Sequence, residues 1–337
     1  NQTNLAMTET TKRLRILSGV QPSGNLHIGN YFGAIRQFVK LQEAPANDCF
    51  YFIADFHAMT TVRDGSELRK MSLGLAADFL ALGLDPNRSV LYRQSDVPEV
   101  AELTWMLSTV TPMGLLQRAH SYKDKVAKGI AANHGLFAYP VLMAADILIV
   151  RADAVPVGRD QKQHLEITRD IAAIFNLEYK QELLKAPEPM ILPEVAVVPG
   201  VDGQKMSKSY GNTLEIFAPE AELKKKVMSI VTDSTPVADP KPLEGALYEL
   251  LKILAPAEEW RQIEKGFVEG GMGYGDFKKR LLGYLLETFR EARQKRAEIE
   301  KDPASVDRVL RDGKEKASFV ISQVMADCRR ATGMGSY

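Results

Sequence analysis

From Arg13 to Phe175 the chain alternates short apolar runs with stretches of helical spacing, a pattern that few architectures accept. Arg13 to Val20 reads as a strand and runs directly into Gln21-Pro22-Ser23-Gly24-Asn25, a cluster of turn formers. Helical spacing follows from His27 to Leu41. Asp48 to Ala54 and Ser89 to Gln94 read as further strands, separated by a helix from Glu67 to Leu82 that ends at Gly83. Pro98 to Val110 is helical and Arg118 to Lys128 is basic and irregular. Phe137 to Val150 is an apolar helix with one acid inside it, Asp146; Ala154 to Gly158 is a fourth strand, with a helix from Gln161 to Phe175 after it. Alternation of this kind predicts an α/β fold, a doubly wound parallel sheet whose ligands sit outside the carboxyl ends of the strands.

Between Lys185 and Ser209 the texture changes to prolines, glycines and a lysine-serine loop, and beyond it only helical spacing remains. The segments are Pro219 to Val231, Leu243 to Leu254, Glu258 to Glu269, Asp276 to Ala297 and Val306 to Arg329. The expected organisation is a Rossmann-like catalytic domain over residues 1–195, a loop and linker over 196–217, and an all-helical domain over 218–337. The last helix is a candidate to pack back on the first domain. A chain of 337 residues can bury two such cores.

With 45% hydrophobic and 26% charged residues the usage is that of a soluble globular protein, and no apolar run is long enough to span a bilayer. Cys49 and Cys328 lie far apart and show no ligand spacing, so neither a disulfide framework nor a zinc site is expected, and a reducing cytoplasmic compartment fits. Net charge is zero, so any polyanion must be held by local basic clusters. Residues 1–6 carry no targeting pattern and are set aside.

Two motifs carry chemistry. Pro22-Ser23-Gly24-Asn25-Leu26-His27-Ile28-Gly29-Asn30 puts an imidazole and a carboxamide in the first turn of a helix, where unpaired N–H groups add a positive end suited to phosphate. Read alone, the same string is also a capped helix whose histidine faces water. Lys205-Met206-Ser207-Lys208-Ser209 offers two ammoniums three residues apart, which can reach different oxygens of one polyphosphate; the bland alternative is a solvated lysine loop.

Together, His-Ile-Gly-Asn after the first strand and Lys-Met-Ser-Lys-Ser after the sheet resemble a class I aminoacyl-tRNA synthetase. That family's first motif ends in a second histidine where this chain has Asn30, a departure shared by its tryptophan-specific members. Tyr139-Pro-Val-Leu-Met143-Ala-Ala-Asp146 and Val155-Pro-Val157-Gly158-Arg159-Asp160-Gln161-Lys-Gln163-His164 resemble the tryptophanyl-tRNA synthetases closely. So do Val231-Thr-Asp-Ser234, Tyr274-Gly-Asp-Phe-Lys278 and Val309 to Ala317, so the resemblance covers nearly the whole chain.

The resemblance implies activation of L-tryptophan by ATP with Mg2+, transfer to tRNA(Trp), no tightly bound cofactor, no protein-held metal, a homodimer and no membrane. It places His27, Asn30, Lys125, Lys205 and Lys208 on the phosphates, with Ser207 and Ser209 making loop hydrogen bonds. Gln21, Pro22, Ser23, Gly29, Gly158, Arg159, Asp160, Val197 and Met206 complete the ATP site, and Gln161 meets the tryptophan amino group. An indole has a large apolar body and one N–H donor, so its pocket needs apolar walls and one acceptor. Met143 and Asp146 share a helix face, Tyr139 lies one turn before, and Leu17, Val155 and Val157 sit toward strand ends. Pairing of Asp146 with Arg151 or Arg159 is the alternative.

The helical domain is expected to read the anticodon, helped by Lys224-Lys225-Lys226 and Lys278-Lys279-Arg280, although such runs are commonly just solvated faces. His57 follows the second strand and can approach the site, the blander reading being a packed or exposed loop histidine; His120 and His134 read as surface residues, and Trp105 and Trp260 as core or partly buried packing on helices. Three competitors share parts of the pattern: a tyrosine-specific synthetase, a synthetase-like regulator without chemistry, and a small-molecule nucleotidylyltransferase. The last needs no RNA-reading domain.

Overall fold

The computed structural model describes residues 13–119, 127, 129, 133–158, 162–191 and 197–335. Five strands form one sheet: β1 (Leu14–Val20), β2 (Asn47–Ile53), β3 (Ser89–Arg93), β4 (Ala154–Val157) and β5 (Glu188–Ile191). Their spatial order is β3-β2-β1-β4-β5 and every pair is parallel. Alternation along the strands buries both faces. Ile16, Cys49, Tyr51, Ile53 and Leu91 enter one apolar cluster, while Leu17, Phe50, Phe52 and Tyr92 enter another on the opposite side. β5 was not expected: Glu188-Pro-Met-Ile lies in the proline-rich stretch, and a proline is tolerated there because the strand is at the sheet's edge.

Helix α1 is composite, opening at Ile28–Asn30, passing through a π-helical turn at Tyr31–Ile35 and continuing as Arg36–Glu43. Next come α2 (Asp55–Ala58), α3 (Gly65–Ala81), α4 (Glu99–Ser108), α5 (Met113–Gln117), α6 (His134–Ile149) and α7 (Lys162–Glu178). α6 starts at Asn133, whose side chain accepts the Leu136 amide at 2.9 Å, and it is apolar enough to run through the interior beside the sheet.

After β5 the described elements are helical: α8 (Glu220–Met228), α9 (Ala246–Leu254), α10 (Ala257–Glu269), α11 (Tyr274–Thr288), α12 (Arg290–Lys301) and α13 (Pro303–Thr332). The single helix expected over 276–297 is two, divided at Phe289, whose buried ring packs edge-on against Tyr31 at 5.0 Å. α13 returns to the sheet and covers β3. A Cβ on Gly313 would lie 1.8 Å from the Leu91 carbonyl oxygen, so only glycine permits that approach. Ala317, Ile321, Val324, Met325 and Cys328 extend the same contact into the core. Cys49 and Cys328 are both free and buried.

Candidate active site

Strand order reverses between β1 and β4, and the crevice outside their carboxyl ends is where such sheets hold ligands. A cavity of about 310 Å³ lies there. Leu17, Ser18 and Gly19 of β1, Val155, Pro156 and Val157 of β4, and Gln21 form one side. Tyr139, Met143, Asp146 and Ile147 of α6 face them, with His57 and His164 at the rim of the same space. Leu17, Gln21, Tyr139, Met143, Asp146, Val155 and Val157, singled out from the sequence, all line it. The Tyr139 hydroxyl donates to the Met143 sulfur at 3.8 Å, fixing both walls.

Asp146 is the buried charge of the cavity, only 2% exposed. Burial pushes its carboxyl up from the ordinary range, opposed by hydrogen bonds from His57 and Gln94. His57 Nε2 lies 2.8 Å from Oδ2, and the Gln94 carboxamide Nε2 donates at 2.8 Å to both Oδ1 and Oδ2. The Arg151 alternative does not hold, since Arg151 pairs with Asp327 at 3.0 Å; the Arg159 alternative lies outside the described residues. Of the two sequence readings of His57 the structure favours approach to the site over an exposed loop, since it is buried, lines the cavity and bonds Asp146. Gln94 was missed altogether. The one available signal was a polar residue directly at the end of an apolar strand.

β1 leads from this cavity into the first motif. His27 caps α1 in an extended conformation, and its backbone N–H donates to Asn30 Oδ1 at 3.0 Å. The Asn30 oxygen thus closes the turn, so a phosphate can be met only by its Nδ2. A Cβ on Gly29 would come within 2.9 Å of His27 Nδ1; glycine makes room for the ring. Burial, and then the Lys208 ammonium, hold the imidazole down at about 4, so it is neutral at pH 7.

The lysine loop docks on this motif. Ile28 N donates to Leu214 O and Ile216 N to Leu26 O, both at 3.0 Å, clipping the two loops together. Lys208 Nζ donates to the Ser23 carbonyl at 2.9 Å and to its hydroxyl at 3.2 Å. Burial lowers the ammonium's proton affinity, with Glu215 and Asp78 acting the other way. Lys205 is exposed. Ser207 and Ser209 hydroxyls meet at 2.9 Å, and Ser207 N donates to Asn212 Oδ1 at 2.8 Å. Asn212, another residue the sequence reading missed, is buried under the loop and also donates to Asp202 at 2.8 Å. The Met206 side chain is buried in the core cluster and pins the loop from below, so only its backbone faces the site.

Among the remaining candidates, Pro22 is buried, Ser23 and Gly158 are exposed, and Val197 is 65% exposed beside the loop. Lys125, Arg159, Asp160, Gln161 and His120 lie outside the described residues. In the basic runs, Lys278 is not a surface cation: it is buried and donates to the Met228 carbonyl at 3.2 Å. Lys226 donates to the Gly211 carbonyl at 2.8 Å, so it braces the loop instead of facing outward. Trp105, expected to pack, is 69% exposed.

A parallel nucleotide-type sheet with an imidazole motif after β1 and a docked lysine-serine loop defines a class I synthetase. The family model described as "tRNA synthetases class I (W and Y)" matches residues 8–290. A tryptophan–tRNA ligase of Fusobacterium nucleatum is 51% identical over 320 residues, covering 95% of this chain and 98% of the relative. One of Campylobacter jejuni is 50% identical over 322 residues, covering 95% and 100%. A crystal structure of tryptophanyl-tRNA synthetase from Campylobacter jejuni, complexed with ADP and tryptophan, superposes with a TM-score of 0.91 at 50% identity, covering 95% of this chain and 100% of that one. The chain belongs to the tryptophanyl-tRNA synthetases.

Proposed function

We propose that this protein joins L-tryptophan to ATP as tryptophanyl-adenylate and then transfers the tryptophanyl group to tRNA(Trp) in the cytoplasm. The observation that carries this reading is the buried Asp146 carboxylate in a cavity walled by Leu17, Phe52, Met143, Ile147 and Val155, beside two polyphosphate-type loops. An indole N–H fills the acceptor position that His57 and Gln94 leave open; phenylalanine would leave that position buried and unfilled, which a hydrogen-bonding pocket punishes.

In this reading the tryptophan carboxylate attacks the α-phosphorus and pyrophosphate leaves, with no protein nucleophile. ATP enters as its magnesium complex, the metal arriving with the substrate. Catalysis is positioning plus stabilisation of phosphate charge. His27, neutral, and the Asn30 Nδ2 donate to phosphate oxygens; Lys205, Lys208 and Lys125 neutralise the leaving pyrophosphate. Gln21, Gly29, Gly158, Arg159, Asp160 and Val197 border the adenosine, and Gln161 receives the amino group. Residues 1–195 act as the catalytic domain, 196–217 as the lysine loop and linker, and 218–337 as the anticodon-reading domain, with Lys224, Lys225, Lys279 and Arg280 as its cations.

The active form is a homodimer. In support, a second hollow of about 900 Å³ between α4 and α6 is lined by Trp105 (69% exposed), Met113 (62%) and Met59 (50%), large apolar side chains that a partner's surface would cover.

ATP–pyrophosphate exchange against each standard amino acid tests the assignment. Only tryptophan should support exchange, and Asp146→Asn should lower its kcat/KM about tenfold or more. Equal or faster exchange with tyrosine would refute it.

A further inference from the structure

An acceptor that selects its substrate by one hydrogen bond must itself be aimed, and the groups around Asp146 show how. Gln94 follows β3 and is wholly buried. Its Oε1 accepts the Phe56 backbone N–H at 3.0 Å. A backbone N–H can only donate, so the carboxamide has one possible orientation and its Nε2 must face Asp146. From there it reaches both carboxylate oxygens at 2.8 Å.

His57, the other partner, can exchange donor and acceptor roles with its tautomer, whereas the Gln94 Nε2 donates in every state. Donation from Gln94 therefore favours the ionised carboxylate against a burial that works the other way. A carboxylate offers about four acceptor positions. The three contacts from Gln94 and His57 leave room for one further donor.

We propose that Gln94 is a positioning residue for tryptophan selection: held by the Phe56 amide, it fixes the orientation of Asp146 and keeps it an acceptor for the indole N–H. The inference rests on Asp146 being the indole acceptor and names what makes it one. Gln94 does not touch substrate in this account; it acts through the carboxylate.

The test is the ratio of kcat/KM in ATP–pyrophosphate exchange for tryptophan over its benzothiophene analogue, in which sulfur replaces the N–H. The parent should favour tryptophan. Gln94→Met and Gln94→Leu each remove the donor while keeping an apolar chain of similar size. In both, thermal unfolding should show a folded protein and the ratio should fall about tenfold or more. A role confined to stability would lower both substrates together and leave the ratio unchanged. A parental ratio in either folded variant overturns the proposal, and if Asp146→Asn abolishes the preference in the same assay, the carboxylate's own role survives that result. No preference in the parent removes the acceptor role of Asp146 and, with it, the role of Gln94.

Discussion

A neutral imidazole among cations is the sharpest feature at the residue scale. His27 is held at about 4 by burial and then by Lys208, against 6.5 for an ordinary histidine. Between those values the unfolded chain binds the proton and the folded one does not. The contribution of His27 to stability is therefore complete above pH 6.5 and is lost as pH falls toward 4. Imidazole resonances, assigned with a His27→Asn variant, should show His27 neutral down to about pH 5; a midpoint near the ordinary value would refute the burial account. His27, Lys208 and Asp146 were legible in the sequence because each stands out locally: a histidine at a helix start, a lysine in a polar loop, an acid in an apolar helix. Gln94 was not, nor was the pairing of His57. They reach Asp146 across 52 and 89 residues of chain, and no local pattern encodes such meetings.

Elements were readable in proportion to their periodicity. β1 to β4 each present an apolar run between turn formers, and all were placed to within one or two residues. β5 has four residues and a proline, so it depends on its pairing with β4 more than on any preference of its own. The break at Phe289 was invisible for a similar reason: helical spacing continues through it, and the ring leaves the helix line to meet Tyr31. α13 gives a test at this scale. Alanine normally gains about 1 kcal/mol over glycine inside a helix. At Gly313 the added methyl would collide with backbone at Leu91, a rigid neighbour, and overpacking of that kind costs about 2 kcal/mol or more. The clash wins, so Gly313→Ala should lower the urea midpoint; a midpoint unchanged or raised would mean that α13 sits less closely on β3.

At the scale of the whole molecule the helical and sheet halves share one interior. The apolar cluster containing Ile16 and Tyr51 runs on through Leu214, Leu251 and Phe277 to Leu310. Arg296 on α12 meets the buried Asp78 on α3 at 2.7 Å, and Arg329 on α13 clasps Glu102 on α4 through two nitrogens. The exposed flank around Trp105 faces away from that shared interior. Light scattering should find the parent at twice the chain mass and Trp105→Asp at the single mass with exchange reduced; a Trp105→Asp protein that stays paired would remove that face from the interface. α13 also fixes an order of events. During synthesis every strand of the sheet emerges before it, so the outer side of β3 is born bare, and the sheet gains this wall only when α13 swings back to cover it.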